Sequence, residues 1–149
     1  MKKSIVLFMF ALLFSLVSCG KGNAENSSSV AAQSDGNKNC VEILYFHGDV
    51  KCRNCYAMEK GVTQLLEEKF KNEVNDGKII FKAIDITSTE GEKIADKYGI
   101  TWSSLLVNNW KDGKEEVKDM TTFGMKTAAK DPEKFKEEIQ AIIENYLGA

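Results

Sequence analysis

Cys52-Arg53-Asn54-Cys55 places two thiols three positions apart. Thiols at that spacing can close a disulfide on each other and open it again. The only histidine, His47, stands five residues before the pair. Its imidazole could tune or deprotonate a thiol. It could equally join Cys52, Cys55 and Met58 in a soft set suited to Cu(I), or pack at a strand end with one edge solvated. Closed structural zinc normally takes four ligands, and this group offers three strong ones. Cys40 stands seven residues before His47, roughly 23 Å away at about 3.3 Å per residue of extended chain. That is too far for a third redox partner, so Cys40 is read as a small packed residue. Trp102 lies in a loop before the third expected strand, either to grip a substrate side chain or to pack in the core.

The flanking sequence supplies the elements that must position these groups. Residues 40–47, rich in Val, Ile, Leu, Tyr and Phe, read as a central strand. Residues 56–71 read as a helix, with Met58, Val62, Leu65, Leu66 and Phe70 near one face. Glu67, Glu68, Lys69 and Lys71 form an ordinary solvated face. Asp76-Gly77 is a turn, residues 78–86 a second strand, and Thr89-Glu90-Gly91-Glu92 opens a helix that Gly99 should end. Its apolar face is Ile94, Ala95 and Tyr98. A third strand is expected over 104–107, a hairpin at Lys111-Asp112-Gly113-Lys114, and an antiparallel return over 116–123. Asp131 can N-cap the last helix with Pro132 at its first position. There Phe135, Ile139, Ile142, Ile143 and Tyr146 repeat at helical spacing, as core residues do. The order is β-α-β-α-β-β-α, an α/β class. Two helical crossovers are expected to give parallel neighbours, and the hairpin antiparallel ones, in a mixed four-stranded sheet with helices on both faces.

The N-terminus bears on compartment. Lys2 and Lys3 precede an apolar run over 5–16, too short for a comfortable membrane span and laid out as a secretory signal. It ends in Leu16-Val17-Ser18-Cys19, which resembles the bacterial lipobox. The resemblance implies a signal peptide over 1–18, cleavage before Cys19, and lipidation of that thiol. Several acyl chains would then anchor the protein stably. Gly20 rather than Asp after the cysteine leans, by analogy with lipoprotein sorting, towards the outer membrane. Residues 19–39 carry almost no large apolar side chain beyond Cys19 and read as a flexible tether. Residues 40–149 suffice for one compact core. A net charge of -2 gives no broad basic surface, so nucleic acid is not an expected partner. Of four cysteines, a lipidated Cys19 leaves three, and Cys52 with Cys55 is the natural pair. One bridge closing so short a loop restrains the unfolded chain little, so its value lies in use rather than in stapling.

Over nearly all of residues 40–147 the chain resembles the thioredoxin-like superfamily. Three matches carry this. They are the strand–CxxC–helix of residues 41–70, Ala83-Ile84-Asp85-Ile86 with the later Ala95-Asp96-Lys97-Tyr98-Gly99-Ile100, and Leu105-Leu106-Val107 leading to Lys111-Asp112-Gly113. The resemblance implies the minimal thioredoxin fold, with Cys52 at a helix N-terminus. There the dipole, unpaired N–H groups and the neighbouring Arg53 would hold its thiol below the free value of about 8.5. Cys52 would be the nucleophile. Cys55, one turn inside, would resolve the mixed disulfide. No cofactor is implied.

The departures from the family pattern are specific. Thr101-Trp102-Ser103-Ser104 stands where the family has a cis-proline that pairs with substrate backbone and keeps metals from the thiols, and Pro132 is the only proline. A non-proline cis bond costs about 2.5–4 kcal/mol, so a trans peptide is expected at Ser103. The family's buried Asp has no counterpart, and Tyr45 falls near its place. Lys51-Cys52-Arg53-Asn54-Cys55 replaces Trp-Cys-Gly-Pro-Cys, which sets the chain apart from housekeeping thioredoxins. The sequence therefore leads to the expectation of a lipid-anchored, periplasm-facing thiol–disulfide oxidoreductase. It would reduce or exchange disulfides of exported proteins or small molecules and be fed by a membrane electron donor. Two other classes stay open: a copper carrier, and a thioredoxin-like interaction scaffold.

Overall fold

The computed structural model describes residues 38–148. The expected signal peptide, Cys19 and the tether as far as residue 37 lie outside the described residues. The elements run β1 (Cys40–His47), α1 (Arg53–Lys69), α2 (Lys71–Asn75), β2 (Ile79–Asp85), α3 (Thr89–Tyr98), β3 (Ser104–Lys111), β4 (Lys114–Asp119), α4 (Thr121–Thr127) and α5 (Pro132–Leu147). One mixed sheet has the strand order β2-β1-β3-β4. β1 is central, and six of its residues, Val41 to Phe46, are buried on one face or the other. That explains its near-continuous apolar run.

Period-two alternation assigns β1 side chains to two cores. Val41, Ile43 and Tyr45 face α1, α4 and α5 together with Leu105 and Val107. Leu44 and Phe46 face α3, meeting Ile84, Ala95 and Leu106, with Ile94 and Tyr98 packed alongside. Helices therefore cover both faces, as in the thioredoxin-like arrangement. Met58, Val62, Leu65, Leu66 and Phe70 are all buried, at the helical spacing read from sequence.

The strand directions correct one expectation. β1 and β2 are parallel, but β3 pairs antiparallel with β1, Phe46 opposite Ser104 and Cys40 opposite Trp110. A crossover gives a parallel neighbour only when the helix returns the chain to the strand's starting end. Here α3 stops at Gly99, whose φ of 66° closes the helix, and residues 99–103 bring the chain to the Phe46 end. β3 then has to run the other way.

Two helices were not expected. α2 extends the first helical region beyond Phe70. α4 occupies residues read as the end of a strand, which places Phe123 on a helix. β4 ends at Asp119, whose carboxylate accepts the Thr121 N–H at 2.7 Å. β3 runs four residues beyond its expected end, to Lys111, while the hairpin turn and the start of the last helix are as read. Asp112 and Gly113, φ 51° and 74°, turn the β3–β4 hairpin. The Asp131 carboxylate accepts the Lys134 N–H at 3.2 Å with Pro132 opening α5.

Close backbone approach holds α1, α4 and α5 together. A Cβ on Gly61 would lie 2.8 Å from two ring carbons of the fully buried Phe135, and one on Gly124 would strike Met58 and approach the same ring. Phe123 stacks on Phe135, ring centroids 6.4 Å apart. The helix that carries Cys55 is thus seated firmly against its neighbours.

Candidate functional site

Cys52 and Cys55 form a disulfide, with Cα atoms 4.9 Å apart. The first helical residue is Arg53, earlier than the start read at residue 56, so Cys52 itself is the N-cap. Its backbone is extended, φ −74° and ψ 166°, and its Sγ accepts the N–H of Cys55 at 3.1 Å. A sulfur thus does what Ser, Thr or Asp oxygens usually do at this position. No acidic side chain stands in the first turn, so nothing there offsets the positive end of the helix.

The two sulfurs differ in access. Cys52 is exposed, and Cys55 is 3 % exposed beneath it. Tyr45, fully buried on β1, donates its hydroxyl to the Cys55 carbonyl at 3.0 Å. Burial pushes this phenol up to about 12, with the charge of Glu59 and the neighbouring Tyr56 acting in the same direction. Tyr45 therefore stays protonated at physiological pH and supports the helix through the Cys55 carbonyl.

The segment before Cys52 is tied down at two points. Lys51 donates to Glu59 at 2.7 Å and lies over the Tyr45 ring, 5.6 Å from its centroid. Thr87, beyond the end of β2, donates to Asp49 at 3.0 Å. Thr87 also donates through its N–H and hydroxyl to Asp85, and these two bonds lower the Asp85 carboxyl.

The other residues singled out from sequence divide into those near this end and those elsewhere. Arg53 is exposed on the first turn of α1. Trp102 is 57 % exposed, and its carbonyl accepts the Ser104 hydroxyl at 3.1 Å. Ser103 is half-buried, and no cis peptide occurs among the described residues. Because Ser104 pairs with Phe46, this loop lies at the end of the sheet where β1 delivers the chain to the CxxC. Val50 and Tyr56, both exposed, flank Cys52 in sequence.

His47 is half-buried, with its ring 5.8 Å from Tyr45 and its Nδ1 3.1 Å from the Gly48 carbonyl. Met58 is wholly buried against Gly124. Among the described residues no group of three or more His, Cys, Asp or Glu side chains is placed to hold a metal ion. Cys40 sits at the far end of β1, beside Trp110, and is the free thiol among the described cysteines. Burial raises its pKa, as does the charge of Glu42, against the opposing effect of Lys38 and Lys82.

Glu59 was not singled out from sequence. It stands four residues after Cys55, and the rule that i and i+4 share a helix face was the available signal. Tyr45–Cys55 and Lys51–Glu59 are tertiary pairings with no local signature.

Solved structures similar to this chain include three thioredoxins. The solution structure of a thioredoxin from Thermus thermophilus matches at 19 % identity and a TM-score of 0.47, covering 69 % of this chain and 73 % of that one. The X-ray structure of Fasciola hepatica thioredoxin matches at 18 % identity and 0.46, covering 74 % and 84 %. Thioredoxin-2, described as a component of malaria parasite protein secretion machinery, matches at 20 % and 0.41, covering 60 % and 84 %. No family model matches the chain, and no curated protein matches it.

Proposed function

We propose that this protein is a thiol–disulfide oxidoreductase acting through Cys52 and Cys55. One observation carries the reading: an exposed cysteine caps a helix N-terminus and is disulfide-bonded to a buried cysteine one turn inside. That arrangement supplies an accessible nucleophile favoured as thiolate, and a shielded thiol reached only after the first has reacted. In the reducing direction Cys52 attacks a substrate disulfide and releases one substrate thiol. Cys55 then attacks Cys52 Sγ, the second substrate sulfur leaves with the electron pair and takes up a proton, and the Cys52–Cys55 disulfide remains. A dithiol donor must reduce it for another turnover.

The proposed setting is the bacterial cell envelope. The lipobox-like Leu16-Val17-Ser18-Cys19 supports a lipid anchor at Cys19, facing the periplasm and preferring the outer membrane. Substrates are then disulfides of exported proteins or small disulfides, and the donor is a thiol-reducing membrane protein. Arg53, Trp102 and Ser103 are the proposed tuning and contact residues around Cys52.

Reduction of insulin by a dithiol-regenerated enzyme tests the chemistry. Cys52→Ser should abolish it, and Cys55→Ser should stall as a stable mixed disulfide on Cys52. Activity that survives Cys52→Ser but not Cys55→Ser overturns the assignment. Loss of acyl labelling and of membrane association in Cys19→Ala tests the anchor.

A further inference from the structure

The sheet ends at β4, and the outer edge of that strand is open. Met120, next in register after Asp119, donates its N–H to the Leu105 carbonyl at 2.8 Å. In an antiparallel ladder alternate residues turn their backbone groups to the same side. Lys114, Glu116 and Lys118 therefore bond towards β3, while Glu115, Val117 and Asp119 turn their N–H and C=O groups outward. Among the described residues no backbone hydrogen bond from another element reaches these outward groups. Val117 is 48 % exposed, an apolar side chain on an otherwise charged strand.

An open edge is a template for another strand, and charges on it commonly prevent pairing. On β4 they are arranged to suit a second copy of β4. Two identical strands pair antiparallel about a two-fold axis normal to the sheet. With that axis through Val117, its outward groups meet those of its own copy, and the outward groups of Glu115 meet the partner's Asp119. Between them Glu116 stands opposite the partner's Lys118, twice by symmetry. Both side chains are exposed, and among the described residues neither enters an ion pair or a side-chain hydrogen bond. The like charges brought together by this register are already bound within their own chain. Glu115 accepts Lys97 Nζ at 3.0 Å, the Asn108 amide at 2.8 Å and the Tyr98 hydroxyl. Asp119 accepts the Thr121 N–H at 2.7 Å. Moving the axis by one residue sets Glu116 against its own copy in one direction and Lys118 against its own copy in the other. The charges therefore favour the register centred on Val117 over its neighbours.

We propose that β4 is a self-association edge, joining two copies of this protein into one continuous sheet about a two-fold axis through Val117. Asp119 pairs with Leu106, and Ser104 with Phe46, so β4 stops at the end of the sheet where β1 leads towards Cys52. Antiparallel pairing sends these two ends in opposite directions, and each Cys52 stays open to its substrate. So short a strand makes an interface at the small end of specific ones, which sets the dissociation constant at roughly 10–100 μM.

Sedimentation of the full chain in density-matched detergent, from about 5 to about 500 μM, tests this. Wild type should pass from monomer to dimer over that range. Lys118→Glu turns both cross-strand pairs into like-charge pairs and should weaken the dimer by about 30-fold. Glu116→Lys should do the same. An equal mixture of these two single variants should dimerise as wild type does, because each supplies the charge that the other lacks. A wild-type chain that stays monomeric at about 500 μM overturns the proposal. So does a dimer that both single variants form as readily as wild type, which would place the contact elsewhere. A mixture that fails to recover the dimer overturns it as well, since Glu116 and Lys118 would then not face each other.

Discussion

Glu42 offers a sharp test of how the sheet is held. Its carboxylate is buried near the start of β1, yet it joins three other residues of the chain. Oε2 accepts Lys38 Nζ at 2.8 Å and the Trp110 indole N–H at 2.9 Å, and Oε1 accepts Lys82 Nζ at 2.8 Å. Burial alone would raise its pKa, but the bonds from Lys38 and Lys82 outweigh burial and leave it below the ordinary carboxylate value. Glu42→Gln preserves shape. The amide oxygen can keep Trp110 and weakly keep Lys38, while the amide NH2 repels Lys82. Losing one charge-assisted bond and weakening another would cost about 3–4 kcal/mol if both lysines were trapped. Their side chains are 21 % and 37 % exposed and can regain water, which lowers the expected cost to about 2 kcal/mol. For a domain of this size that is a fall in Tm of roughly 8 °C. Urea and thermal unfolding at pH 7 measure it. The sign with pH follows from the depressed pKa. The stabilisation is complete above the unfolded value of about 4.3 and disappears as pH falls through the lower folded value. The gap between wild type and Glu42→Gln should therefore close on acidification below about pH 4. A variant within about 0.5 kcal/mol of wild type at pH 7, or a gap that widens in acid, would refute the reasoning. Disulfide exchange at Cys52 should be unchanged within about twofold, because Glu42 lies towards the other end of β1.

Other expected outcomes concern access, packing and ionisation. In the reduced protein, alkylation followed by peptide mass analysis should mark Cys52 well before Cys55 and Cys40, with Cys52 reacting below its free pKa of about 8.5. Gly61→Ala gains helix propensity of roughly 1 kcal/mol but drives a Cβ into the buried Phe135 ring, an overpacking worth about 1–3 kcal/mol. Denaturant unfolding should show net destabilisation of about 1 kcal/mol. Tyr45 and Tyr98, both pushed up to about 12 first by burial, should remain protonated when phenolate absorbance is read near pH 11 and appear only near unfolding.

The sequence was most legible where local chemistry decides structure. Asp112-Gly113, Pro132 and Gly99 each announce a backbone conformation that few other residues accept so cheaply, and each does what its type suggests. The CxxC could be placed at a strand–helix junction, with Cys52 outward and Cys55 inward, because one helical turn separates them. What could not be read depends on distant partners. Thr121–Thr127 has several threonines and a glycine, a weak helix by propensity, and it is helical because Gly124 lets it seat against Met58 and Phe135. The direction of β3 depends on where α3 deposits the chain. Glu42 stands in an apolar run and is tolerated only because lysines 4 and 40 positions away reach it. Glu59 carries no local signal for Lys51, eight positions away, with which it pairs.

The chain enters β1 at Cys40 and reaches the disulfide only beyond His47, the other end of an eight-residue strand about 26 Å long. Tyr146 and Leu147, at the end of α5, line a cleft with Asn39, Cys40 and Lys78, so the two ends of the described chain meet at one pole. The domain therefore has a socket end and a working end. A surface, a bead or a host protein grafted just before residue 38 or just after residue 148 meets the socket and leaves Cys52 facing outward. The whole unit could be spliced into the loop of another protein, both joints side by side, without shading the sulfur that meets the substrate.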